Sequence, residues 1–213
     1  MKVEFLNSFG GDENHVNVAR VSYAKEASEY TDEQNEKLIK YLVKHSHTSP
    51  FRHSTLQFRV KCPIYVERQL FKHSVGISVN SISGRYVDFS DSYHLIDVWR
   101  RQSKSSKQGS DGLVEDQDFC NAVQLDIVER CKAAYQELIE RGVSKEQARS
   151  ILPLNLETEF IWTGSFLAFV HMCNLRLKPD TQQETREVVA DMLDQLVSNT
   201  DKFNVSLMAF DLI

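Results

Sequence analysis

Residues 55–62 alternate strictly: Leu56, Phe58, Val60 and Cys62 are apolar, while Thr55, Gln57, Arg59 and Lys61 are polar. That two-residue period belongs to a strand with one buried face. A strand alone leaves backbone donors and acceptors unsatisfied, so the chain must supply at least one partner strand. Pro63 then suits the first turn of a helix over 64–74, IYVERQLFKHS.

Most of the remaining sequence reads as helix. Thr31-x-x-Gln34 is a capping box, so the first helix is expected to begin at Thr31, with Leu38, Tyr41, Leu42 and His45 at helical spacing. A long helix from about Asp118 to Arg141 is expected to present Val123, Ile127, Cys131, Ala134 and Leu138 on one face. Gly142 can close it in left-handed geometry. Ser144-x-x-Gln147 caps a short helix that stops before Pro153. Residues 159–175, apolar and aromatic, read as a buried helix. Thr181-x-x-Glu184 caps the last long helix, whose core face holds Val188, Met192 and Leu196. Only Trp99–Gly112, rich in Ser, Lys and Gly, reads as a loop, an excursion within one domain. The expected class is α+β, in a single domain spanning 1–213.

Composition excludes several functions. Thirty acids against 25 bases give a net charge of −5 in 213 residues, a poor balance for general binding to nucleic acid or an anionic membrane. No apolar run approaches the ~20 residues that span a bilayer. The first 15 residues carry Glu4 and no apolar core, so no signal peptide is expected and the setting is cytoplasmic. Cys62, Cys120, Cys131 and Cys173 are scattered without a C-x-x-C, which suits reduced thiols rather than a disulfide framework. His45, His47 and His53, even with Cys62, match no common zinc spacing, so no metal site is expected. His45 fits a cation at a helix C-terminus instead. G-x-S-x-G, G-x-G-x-x-G and the P-loop are absent.

Charge is nevertheless concentrated. Residues 57–86 hold five bases (Arg59, Lys61, Arg68, Lys72, Arg85) and one acid, Glu67. The second half, HSVGISVNSISGRY, is rich in Ser, Gly and Asn, whose backbone N–H groups can face an anion beside guanidinium clamps. A phosphate cradle and a solvated polar loop are both compatible with that composition. Arg149 and Arg176 stand in otherwise apolar stretches, where a guanidinium needs a partner. The partner could be Glu157, Glu159 or Glu184, or an anionic ligand.

ERQLFKHSVGISVNSISGRY, together with ARVSY at 19–23, HTSPFRH at 47–53, and ARSILPLNLETEFIWT with NLR at 148–176, resembles the flavin-dependent thymidylate synthases in order and spacing. The resemblance implies helices packed on a small antiparallel sheet and conversion of dUMP to dTMP. Methylenetetrahydrofolate would donate the carbon, and FAD reduced by NADPH would carry hydride. It places Gln69, Lys72, Ser81, Ile82, Ser83, Gly84, Arg85, Arg149 and Arg176 around dUMP, with Arg176 as the catalytic group at the uracil edge. It places Ser22, His47, Ser49, Lys72, His73, Ser74, Ser165, Phe166, Leu167 and His171 around FAD. It also implies a homotetramer with shared active sites. The family's Arg-His-Arg triplet reads Lys72-His73-Ser74 here, the spacer to Ser83 is eight residues, and Ser81, His171 and Asp180 also depart from the usual pattern. Similar departures resemble divergent, often viral, members, for which the setting would be the host cytoplasm. Two alternatives remain at this stage: a hydroxymethylase on the same scaffold, and a nucleotide-binding protein without turnover.

Overall fold

The computed structural model describes residues 1–87, 92–105, 107 and 109–213. Its centre is a four-stranded antiparallel sheet in the order β1 (Lys2–Phe9), β2 (Thr55–Pro63), β6 (Glu157–Ser165), β3 (Ile77–Ser81). The alternation in β2 explains the layer arrangement. Leu56, Phe58, Val60 and Cys62 are all buried, and the register sets Phe58 beside Trp162 and Val60 beside Phe160 of β6. Helices α6 (Phe166–Arg176) and α7 (Gln183–Asn199) pack on this face, bringing Val170, Met172, Val188, Met192 and Leu196 into the core. The opposite face carries ion pairs: Arg59 with Glu4 and Glu159, and Lys61 with Glu157.

The structure is α+β, as expected, but several elements differ. Residues 159–175 are not one buried helix. The stretch divides at Ser165 into strand β6 and helix α6, with the Ser165 hydroxyl accepting from the Ala168 N–H as N-cap. Thr158, Phe160, Trp162 and Gly164 alternate inward, a strand period hidden in sequence because Ile161 on the other face is also apolar. The first helix is α1 (Asp12–Arg20), preceding α2 (Asp32–Lys44); its buried positions are only His15 and Val16, too narrow an apolar stripe to register. The Thr31 capping box forms as read, and His45 is the C-cap of α2, with its Nδ1 3.0 Å from the Tyr41 carbonyl. The buried face of α2 is Ile39 and Leu42, whereas Tyr41 is exposed.

The helix after Pro63, α3 (Ile64–Leu70), ends four residues earlier than the sequence suggests, and Pro63 is its N-cap rather than its first turn. Within 99–112 the chain forms a hairpin, β4 (Arg100–Gln102) with β5 (Ser110–Leu113), instead of a loop; Ser106 and Gln108 lie outside the described residues. Arg100 anchors the hairpin through a 2.5 Å bond to Glu184. Thr181 does not cap α7; its hydroxyl donates to the Leu175 carbonyl, and Gln182 is the N-cap.

Helix α4 (Gln117–Glu140) runs where expected, and Gly142 follows with φ 83°. Its buried residues are Val128 and Tyr135, whereas Val123 is 46% and Ile127 47% exposed. The apolar stripe read from the sequence therefore faces outward in the single chain. Short helices α5 (Lys145–Ala148) and α8 (Asn204–Ala209) complete the chain. Among the described residues no helix is long and apolar enough to cross a membrane.

Candidate active site

The site grows from the junction of α3, β3 and α6. Helix α3 ends at Leu70, the chain turns through Lys72, His73 and Ser74, and β3 then enters the sheet beside β6. Gly164 of β6 permits this close entry: a Cβ there would lie 2.9 Å from the Gly76 carbonyl and 2.7 Å from Ile77 Cγ1. Gly76 itself has φ +75°, a conformation a residue with a side chain adopts only under strain. An open cleft of about 690 Å³ results, lined by Lys72, His73, Ser74, Ser165, Leu167 and His171 together with Arg52, Thr55, Ser78 and Thr163.

At its edge Arg176, the last residue of α6, donates from Nε to His73 Nε2 at 2.9 Å and from Nη2 to the Gln69 carbonyl at 3.1 Å. None of the carboxylates considered from sequence pairs with it. Glu184 binds Arg100, Glu159 binds Arg59, and Glu157 binds Lys61. A guanidinium has five N–H donors; two are used here, and the other three have no partner among the described residues. Accepting at Nε2 fixes the proton of neutral His73 on Nδ1. Burial, and then the Arg176 charge, hold the His73 pKa below its ordinary value, so the ring stays neutral. Burial also lowers the Arg176 pKa, although a guanidinium remains charged.

The nucleotide candidates divide. Gln69 and Arg176 come together, with the Gln69 side chain donating to Gln182, while Lys72 lines the cleft beside His73. Ser81 ends β3 at the sheet edge and Ile82–Arg85 follow it, the Ile82 N–H donating to the Glu159 carbonyl at 2.8 Å. Arg85 lies beside the Ser83 hydroxyl and 5.2 Å from the Tyr86 ring, exposed, while Gly84 is buried. Arg149 is exposed on a turn packed against α4, its Nε 3.4 Å from the Glu146 carbonyl, and no bond links it to the other candidates. It is not the buried guanidinium the sequence suggests.

The flavin candidates divide as well. Lys72, His73, Ser74, Ser165, Leu167 and His171 line the cleft just described, whereas Ser22, His47 and Ser49 line a second cleft of about 440 Å³. Phe166 belongs to neither. Its ring is fully buried, stacked 5.1 Å from Phe203, and its N–H donates to the Ser54 carbonyl. Its neighbours Ser165 and Leu167 line the cleft while its own side chain faces the core.

Sequence reasoning also missed Arg52, which lines both clefts, and Gly164, a glycine inside an aromatic strand that itself signals a close backbone approach. Glu67, the one acid in the basic window, hydrogen-bonds with Ser81; burial raises its pKa against the opposing influence of Arg68. The cysteines supply no nucleophile here. Burial pushes the Cys62 and Cys173 thiols up to about 12. Among the described residues no group of three or more His, Cys, Asp or Glu side chains could hold a metal ion.

The model of the family described as "Thymidylate synthase complementing protein" matches residues 4–200. The chain belongs to the flavin-dependent thymidylate synthase family. A flavin-dependent thymidylate synthase of Thermus thermophilus is 40% identical over 185 residues, 87% of this chain and 67% of that protein. Another, of Kosmotoga olearia, is 36% identical over 187 residues, 87% of this chain and 80% of that one. Among solved structures, a UMP/dUMP methylase PolB from Streptomyces cacaoi bound with 5-Br dUMP superimposes with a TM-score of 0.86 at 27% identity, covering 99% of this chain and 94% of that one. Its 5-Br UMP complex gives 0.84 at 26% identity. Against this family, the cleft's donors suit a flavin dinucleotide: hydroxyls and cations without a carboxylate, beside a Gly76–Gly164 contact that keeps side chains out of the wall.

Proposed function

We propose that this chain transfers a one-carbon unit from methylenetetrahydrofolate to C5 of dUMP, giving dTMP, with reducing equivalents from NADPH passed through FAD. The observation that carries this reading is Arg176, held by Gln69 and by His73 of the cleft wall, with three donors unpartnered among the described residues and no acid among the described residues that line the cleft. Uracil becomes reactive at C5 as negative charge develops on its ring. A planar guanidinium with unspent donors at the ring edge stabilises that charge, and its fixed partners keep it oriented before substrate arrives. Neutral His73 accepts from Arg176 without adding a competing positive charge. Lys72, Ser83 and Arg85 supply charge and hydroxyl contacts for the nucleotide phosphate. Bound FAD supplies hydride chemistry, while Lys72, Ser74, Ser165 and His171 bind and orient it. Cys62 and Cys173, with thiols pushed up to about 12, attack no pyrimidine.

A homotetramer in the cytoplasm completes the reading. The outward apolar stripe of α4, with Phe119 64% exposed beside Val123 and Ile127, supports burial against further copies. Arg149, apart from Arg176 in one chain, would then join a site shared between chains. The test is to incubate the purified protein with FAD, remove free flavin by gel filtration, and titrate with dUMP. The proposal expects retained flavin in a particle of four chains and a change in its visible spectrum as dUMP binds. A protein that retains no flavin, or a flavoprotein spectrally blind to dUMP, contradicts it.

A further inference from the structure

Behind Gln69 a row of polar side chains leads away to the β4–β5 hairpin. Gln69 Nε2 donates to Gln182 Oε1, Gln182 Nε2 donates to Glu184 Oε2 at 2.9 Å, and Glu184 Oε1 accepts from Arg100 Nη2 at 2.5 Å. Arg100 Nε also donates across the hairpin to the Ser110 hydroxyl at 3.0 Å. The row joins three separate parts of the chain: α3, the start of α7, and β4.

Glu184 sets the polarity of the row. It is only 5% exposed. Burial works against its charge, yet the bonds from Arg100 and Gln182 hold its carboxyl below the ordinary value. An ionised carboxylate accepts hydrogen bonds and donates none. Gln182 must therefore turn its NH2 towards Glu184 and its carbonyl towards Gln69. Gln69 in turn must spend its NH2 on Gln182, which leaves its side-chain carbonyl over. No described residue donates to that Oε1, and the backbone carbonyl of the same residue holds Arg176.

Resting on the dUMP reading above, we infer that Arg100, Glu184 and Gln182 are positioning residues for the nucleotide. They fix the Gln69 amide so that it meets dUMP as a hydrogen-bond acceptor. A free amide would sample both orientations; the row removes the wrong one before the nucleotide arrives. None of the three touches the reacting ring.

Calorimetric titration with dUMP of flavin-loaded wild type, Glu184→Gln, Glu187→Gln and the exchange Gln182→Glu/Glu184→Gln tests this. In Glu184→Gln the new carbonyl faces Arg100 and the new NH2 faces Gln182, so both native glutamines invert and Gln69 presents a donor. The dUMP dissociation constant should rise roughly 3- to 10-fold, the scale of one lost neutral hydrogen bond. Loss of a negative charge alone acts the other way, favouring an anionic nucleotide. Glu187→Gln, at an exposed carboxylate on the same helix bonded to Gln183, measures that effect and should not weaken binding. The exchange places the carboxylate at position 182, where it accepts from both sides; at unchanged net charge it should restore wild-type affinity. Where either of these variants loses flavin, Gln182→Met cuts the row without changing charge and should weaken dUMP about twofold, since half of the amide orientations then present a donor. Unchanged or tighter binding in Glu184→Gln, no recovery in a flavin-loaded exchange, or unchanged binding in Gln182→Met overturns the inference and leaves the dUMP reading intact. Failure of the wild type to bind dUMP overturns both.

Discussion

Replacing Arg176 by lysine separates a catalytic guanidinium from a structural one. The arginine makes two fixed bonds, to His73 Nε2 at 2.9 Å and to the Gln69 carbonyl at 3.1 Å, and has three donors left over. Lysine keeps the charge, but its single ammonium cannot bridge an imidazole and a carbonyl while presenting a planar edge to a ring. Loss of one preorganised donor to developing charge costs ~3 kcal/mol, or about a hundredfold or more in rate. Loss of two half-exposed internal hydrogen bonds costs ~2 kcal/mol of stability at most, partly recovered by water. The variant should therefore fold, retain flavin and lose kcat/KM by about two orders of magnitude or more. Steady-state turnover, bound-flavin absorbance and thermal melting on the same preparation give the comparison. Near wild-type turnover with a lowered melting temperature would refute the reasoning and leave Arg176 as a clamp between α6 and the end of α3.

Stability should fall with acidity through His15, whose ring is 0% exposed among Phe51, Phe166 and Phe203 and bonded to the Ser206 hydroxyl. Burial lowers its pKa from 6.5 to about 4, so the unfolded chain takes the proton first; a contribution of about 3 kcal/mol, complete above pH 6.5, drains away towards pH 4. Asp12, raised above 3.8 chiefly by burial, acts in the opposite sense at the bottom of that window. Urea melts of wild type and His15→Gln across the range should show a shallower slope in the variant, and parallel curves would contradict the assignment. Gly164→Ala should cost roughly 1–3 kcal/mol and weaken flavin retention, because the new Cβ meets the Gly76 carbonyl at 2.9 Å; unchanged melting and flavin content would count against the close-approach argument. In the native protein a thiol reagent should spare Cys62 and Cys173, and Cys62→Ala should keep turnover. Inactivation by that substitution would restore a thiolate mechanism.

What could be read from sequence follows a physical pattern. Strand β2 was legible because its two faces differ in polarity, and the Thr31 cap because its signal is local. Strand β6 was hidden because Ile161 makes its second face apolar too, and α1 because its buried stripe contains a histidine. The Ser83-Gly84-Arg85 segment and Arg176 are visible as motifs, but the bonds that orient Arg176 join residues more than 100 positions apart, which no local pattern encodes. That Phe166 faces the core and Arg52 both clefts is not legible in sequence, because which side of a turn or helix a residue faces depends on packing. The outward direction of the α4 stripe is likewise fixed by what the rest of the chain leaves uncovered.

The most direct measurement is the mass of the nucleotide formed when the flavin-loaded protein meets dUMP, methylenetetrahydrofolate and NADPH. The account predicts dTMP, formed only when all three are present and almost absent with Arg176→Lys. A hydroxymethyl nucleotide, heavier than dTMP by one oxygen, or unchanged dUMP would contradict it.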